Sequence, residues 1–109
     1  MHDFNNLTSI AAYNAKETSG YLYAVESEGT PITGTGSRPG GQPISRFIPT
    51  VGSWPAGSWA STGFGGAQVT SDNVAAEVYV LDSAGNVWFV STDSTPELNT
   101  FWEINPIIP

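Results

Sequence analysis

The stretch EVYVLDSAGNVWFV, residues 77–90, decides how this chain folds. Two runs rich in Val, Tyr, Trp and Phe flank Ser83-Ala84-Gly85-Asn86. Gly and Asn tolerate the positive φ of a tight turn, so the stretch predicts a β-hairpin. Its first arm is written twice. Residues 21–29 read YLYAVESEG and residues 77–85 read EVYVLDSAG. Tyr79 follows Tyr23 by 56 residues, and the same offset joins Ser27 to Ser83 and Gly29 to Gly85. Val25 against Leu81 and Glu26 against Asp82 are conservative exchanges, and the offset extends to Ala11 with Ala67 and Ile48 with Ile104.

The chain as a whole is punctuated by 12 Gly and 8 Pro, which leaves little room for a helix. AAYNAKE (11–17) offers at most a turn of helix before Thr18-Ser19-Gly20 ends it. Short strands are therefore predicted near residues 8–14, 20–26, 30–35, 44–50, 66–70, 75–82, 86–92 and 100–105. The fold class is all-β. A single domain over residues 1–109 suits the length, with an internal repeat of 1–56 and 57–109. A unit of about 50 residues holding four short strands has the size of a propeller blade. Two blades cannot close a ring, since propellers have roughly 4–8. The chain is thus expected to close by oligomerisation, with a trimer of about six blades favoured. A single β-sandwich or barrel is the alternative fold.

Ten acidic residues against three basic ones (Lys16, Arg38 and Arg46) give a net charge of −7. That balance repels phosphate backbones, so neither nucleic acid nor an anionic membrane surface is an expected partner. There is no cysteine, which excludes disulfides, thiolate chemistry and cysteine-based metal sites. MHDFNNLTSI has no basic region and no apolar run and does not read as a signal peptide. No stretch approaches the roughly 20 apolar residues of a membrane helix.

Little points to catalysis. The one histidine, His2, stands beside the first Met, a poor place for a nucleophile–His pair. Glu26, Glu28, Asp82 and Asp93 lie near predicted turns, where carboxylates are routinely solvated. Asp72-Asn73 and Asp82 with Asn86 supply oxygen donors without the spacing of a metal loop. GTGSRPGGQP (34–43) is Gly-rich, yet it has no Lys and no following helix to hold phosphate, and reads as a long surface loop or arm. Neither cofactor nor metal is expected.

Aromatic residues offer more. VGSWPAGSWAST (51–62) carries Trp54 and Trp59 around Pro55 and Gly57, which mark a connector and not a core strand. Each Trp there is either a platform for the apolar face of a sugar ring or a plug between blades or subunits. Trp88 and Trp102 lie in runs of strand character that suit core or interface. Arg46, mid-strand in ISRFIP, pairs with a carboxylate or forks onto a ligand. Trp54, Trp59, Arg46, Trp88, Glu26 and Asp82 are the candidate ligand-binding residues. The Ile-rich end INPIIP (104–109) suggests docking on a neighbouring subunit.

SWASTGFGGAQV (58–69), AEVYVLDSAGNVWFV (76–90) and FWEI (101–104) together resemble the small β-propeller lectins of bacteria and fungi. These include the tachylectin-like group and the two-blade fucose-binding lectins that trimerise into six-bladed rings. The resemblance implies a sugar binder. The fucose-binding group places an Arg before the aliphatic-Tyr pair of the second strand, where this chain has Tyr21 and Glu77, so no particular sugar is implied. Two functions are expected from these readings: a non-enzymatic lectin with aromatic-lined glycan sites between blades or subunits, or a structural β-module such as a virion decoration or fibre protein.

Overall fold

A computed structural model describes residues 7–13, 21–72, 77–91 and 100–104. These residues form two four-stranded antiparallel sheets, each a meander in chain order. The first contains β1 (Leu7–Tyr13), β2 (Tyr21–Glu26), β3 (Gln42–Pro49) and β4 (Gly57–Gly66). The second contains β5 (Gln68–Asp72), β6 (Glu77–Leu81), β7 (Val87–Ser91) and β8 (Thr100–Ile104). The all-β expectation holds. Among the described residues no helix is long and apolar enough to cross a membrane. His2, Lys16, Asn73, Asp93 and the residues after Ile104 lie outside the described residues.

Two expectations about strands fail. Residues 30–35 are not a strand. They belong to an arm between β2 and β3 that folds back through the isolated bridges Ile32–Gly41 and Thr35–Arg38. Residues 57–66, expected as a connector around Trp59 and as the start of the second unit, form β4 and pair with β3. Their glycines permit close approach instead of breaking the strand. A Cβ on Gly57 would fall 2.4 Å from the Phe47 ring, and one on Gly65 would fall 2.5 Å from the carbonyl oxygen of Gly41. The buried hydroxyl of Thr62 donates to the Ile44 carbonyl (2.6 Å) where the β3–β4 register shifts. The arm is also less exposed than a surface loop, for Pro39, Gly40 and Gly41 are buried. Arg38 holds it by donating to the carbonyl oxygens of Thr33 (3.3 Å) and Gly63 (3.1 Å). From the arm, Pro39 accepts from the Gly65 amide (3.2 Å) and Gly40 from the Ser83 amide of the second sheet (3.0 Å).

The written repeat has a structural counterpart. Tyr23 and Tyr79 both lie in the second strand of a sheet, and both following turns close with the same bond. The Gly29 amide donates to the Glu26 carbonyl (3.4 Å) and the Gly85 amide to the Asp82 carbonyl (3.2 Å). Beyond the turns the constant offset fails, because the arm makes the β2–β3 connection far longer than the turn between β6 and β7. Strand pairing gives the true equivalences. Aligning Tyr23 with Tyr79 carries Ala11 onto Thr70, not Ala67, and Arg46 onto Phe89 and Ala60 onto Trp102. On the opposite faces, Ile10 matches Val69, Ala24 matches Val80, and Ser45 matches Trp88. Ile48 lies in β3 and Ile104 in β8, so that pairing is lost.

The sheets approach each other most closely along β1 and β5. There the Ser9 hydroxyl donates to the Val69 carbonyl (3.0 Å) and accepts from its amide (2.9 Å), and Ser71 donates to the Ala12 carbonyl (3.0 Å). One core fills the space between. Ala11, Tyr23, Val25, Ile44 and Phe64 come from the first sheet, and Val69, Val78, Val80, Trp88 and Val90 from the second. Phe101 meets Phe64 edge-on at 5.1 Å. Each buried aliphatic here contributes about 1.5–3 kcal/mol. The first sheet therefore buries its Tyr23 face, whereas the second buries the face opposite to Tyr79. Equivalent positions have opposite fates. Tyr23, Ile44 and Arg46 are buried, but their counterparts Tyr79 and Phe89 are half-buried and Val87 is 40% exposed.

Gly41 has φ +140° and abuts Gly66, so Gly41→Ala meets both a left-handed backbone and atoms about 2.9–3.0 Å from the new methyl. Equilibrium denaturation should show a loss of about 1–3 kcal/mol. Gly36→Ala in the same arm, with open space around it, should be near neutral.

Candidate functional site

The six candidate residues do not converge on one place. Trp54 and Trp59 share a neighbourhood, built on a residue the sequence reading did not single out. In the β3–β4 register Phe47 stands directly opposite Trp59, and their rings lie 5.2 Å apart. The turn that follows β3 is closed by Thr50 and Ala56 (2.8 Å), Ser53 and Thr50 (3.1 Å), and Ala56 and Ser53 (2.8 Å), each pair bonding amide to carbonyl. It contains a cis peptide bond between Trp54 and Pro55. Trp54 stands edge-on to Phe47 at 5.9 Å and 85°. Phe47 is buried beneath, Trp59 is half-buried, and Trp54 stays 44% exposed. The result is a three-ring cluster with an indole at the surface, beside Thr50, Ser53 and Ser61. Only a register argument pairing SRFIPT with SWAST could have exposed Phe47 as its centre.

Arg46 is next to Phe47 in β3, and adjacent residues of a strand point to opposite faces. It is 3% exposed and lies on the Tyr23 face, turned toward the second sheet. It cannot serve the Trp54 cluster. Trp88, 2% exposed, belongs to the core.

Glu26 and Asp82 occupy equivalent positions and have equivalent work. Glu26 accepts a hydrogen bond from the Ser45 hydroxyl (2.9 Å). Asp82 accepts one from the Trp88 indole N–H (2.9 Å), and Ser45 and Trp88 are themselves equivalent. In both sheets an acid at the end of the second strand latches the third. Asp82 also accepts from the amides of Ala84 (2.9 Å) and Asn86 (2.8 Å), which is the Asx-turn its Asp-x-x-Gly-Asn sequence signals. Burial alone would raise the Asp82 carboxyl's pKa. The bonds from Trp88, Asn86 and Ala84 outweigh it and hold the pKa below the ordinary value. Such a carboxylate is a fixed structural acceptor. Among the described residues no three His, Asp or Glu side chains cluster as metal ligands.

A second aromatic group lies on the outward face of the second sheet. Tyr79, Phe89 and Trp102 stand in one cross-strand row, with ring centres 5.7 Å and 5.2 Å apart. Trp102 is 51% exposed. Toward β5 this face deepens into a cavity of about 290 Å³ lined mainly by apolar groups, among them Val69, Tyr79, Leu81 and Val87.

Because the Asp82 pKa is depressed in the folded state, its stabilisation is present above the unfolded value of about 3.9 and disappears as pH falls through the folded value. Asp82→Asn should be less stable than the parent by about 1–3 kcal/mol at pH 7. Urea titrations at descending pH should show the two proteins converging below about pH 4.

The chain matches no protein-family model, no curated protein and no solved structure.

Proposed function

We propose that this protein is a non-catalytic carbohydrate-binding module, a lectin whose two sheets are blades of a ring closed by further copies of the chain. The observation that carries the sugar-binding reading is Trp54. A large aromatic side chain is held 44% exposed on a short turn, edge-on to Phe47, whose ring packs in turn against Trp59. Such an indole offers its flat face to the C–H side of a pyranose at little cost in side-chain entropy. Hydroxyl groups of Thr50 and Ser53 beside it can meet sugar hydroxyls. The ring reading draws on the repeated sheets and on the outward aromatic face of the second one, and three copies are the proposed number.

A structural or interaction module, of the virion decoration or fibre kind, is the second reading. It is favoured by the row of Tyr79, Phe89 and Trp102, which is a flat sheet face suited to a protein surface.

Binding to a glycan array separates the two. A lectin retains at least one sugar, and titration with that sugar should show Trp54→Ala weakening it at least about tenfold, or about 1.4 kcal/mol. The thermal midpoint of the variant should stay near the parent's. An array with no retained glycan sinks the lectin and leaves the structural module.

A further inference from the structure

We infer that the outward face of the second sheet is the seat for the outward face of the first sheet of another copy, with Ile10 of that copy entering the cavity beside Tyr79. The inference rests on the ring reading and specifies its contact. Within one chain, the Tyr23 face of the first sheet packs on the Val69–Val80–Trp88 face of the second. Most strand positions in that contact have a register equivalent in the other sheet. On the second sheet the equivalents Tyr79 and Phe89 are half-buried and Val87 is exposed; on the first, Ile10 is exposed, while Ala24, Ser45 and Phe47, which take the places of Val80, Trp88 and Val90, are already buried.

The match is close at the inner strands. Ser9, Ala11, Tyr23 and Val25 lie on the face that meets Val69: the last three share its core, and Ser9 bonds both of its backbone groups. Their equivalents in the second sheet are Gln68, Thr70, Tyr79 and Leu81. All four line the 290 Å³ cavity. The equivalent of Val69 is Ile10, which is 59% exposed. A knob and its hole thus sit on opposite outer faces of the same molecule. That arrangement is head-to-tail, and repeating it turns each copy by the same rotation, so the assembly closes into a ring if the rotation allows.

Charge agrees. The chain carries a net −7, so copies repel except where charge is absent. Gln68, Tyr79, Val87, Phe89 and Trp102 at the centre of the receiving face carry none, and the acidic pair Asp72 and Glu77 stands at one end of the same β5–β6 register. A face rich in aromatics and poor in charge is what the centre of a protein interface requires.

The absence of cysteine makes the pairing directly testable. Gln68→Cys and Ile10→Cys mark positions equivalent to Ser9 and Val69, which touch within the chain. The two variants, refolded together and treated with a short bis-maleimide, should give a covalent dimer that neither gives alone. Native mass spectrometry of the parent should show a closed oligomer, and Ile10→Asp should shift it toward the 11.5 kDa chain with its thermal midpoint lowered only by the lost assembly. Dimers from Gln68→Cys alone would mean two receiving faces meeting, and would overturn the inference. An oligomer without the mixed cross-link overturns the pairing but spares the ring. A monomer overturns both. Cross-linking as expected with no glycan retained on the array would keep this contact and remove only the lectin.

Discussion

A single sheet of four strands has two faces, and water accepts only one of them readily. In this chain the problem is met by laying unlike faces together: Tyr23, Val25 and Ile44 on one side, Val80, Trp88 and Val90 on the other. Because both sheets are built on one plan, that contact covers only half of what the plan makes apolar. A pair of like faces would have produced a closed sandwich with polar outer surfaces. Unlike faces leave apolar groups outward on both sheets. The outward row of Tyr79, Phe89 and Trp102 follows from this choice, as does the exposure of Ile10.

The plan is kept by small polar devices. An acid closing the second strand and a donor in the third recur in both sheets, as Glu26 with Ser45 and as Asp82 with Trp88. The chemistry of the donor differs while the geometry is retained. In the second version one carboxylate accepts from an indole and from two backbone amides. It also explains how an indole N–H can be buried in an otherwise apolar core.

Much of this was legible in the chain itself. The YLYAVESEG and EVYVLDSAG segments do lie at corresponding strands and turns, and the strand-rich, Gly-punctuated pattern does mean sheets. What could not be read was the arm at 30–41, because a Gly/Pro-rich run looks the same whether it wanders over the surface or docks. It docks through backbone groups of Pro39 and Gly40 and through the Arg38 side chain, whose acceptors are backbone carbonyls that no residue type announces. That insertion then broke the constant offset and moved β4 into the first sheet. The candidate ligand residues divided for a related reason. Arg46 and Phe47 are neighbours in sequence, but strand alternation sends one inward and the other to the Trp54 cluster. Acidic residues near turns looked solvated, whereas Asp82 is held by its own turn and by Trp88.

The arm has one further effect. Its Gly40 carbonyl reaches across to the Ser83 amide, so the boundary between the two sheets of one chain is stitched by a strap of backbone as well as by side-chain packing. The second sheet turns from β6 to β7 too tightly to carry such a strap. Any ring made from these chains would therefore have two kinds of joint in alternation, one fastened and one held by side chains alone. Under pull or dilution such a ring would part between chains, because within one chain the strap adds to the continuous backbone that runs from β4 through Ala67 into β5.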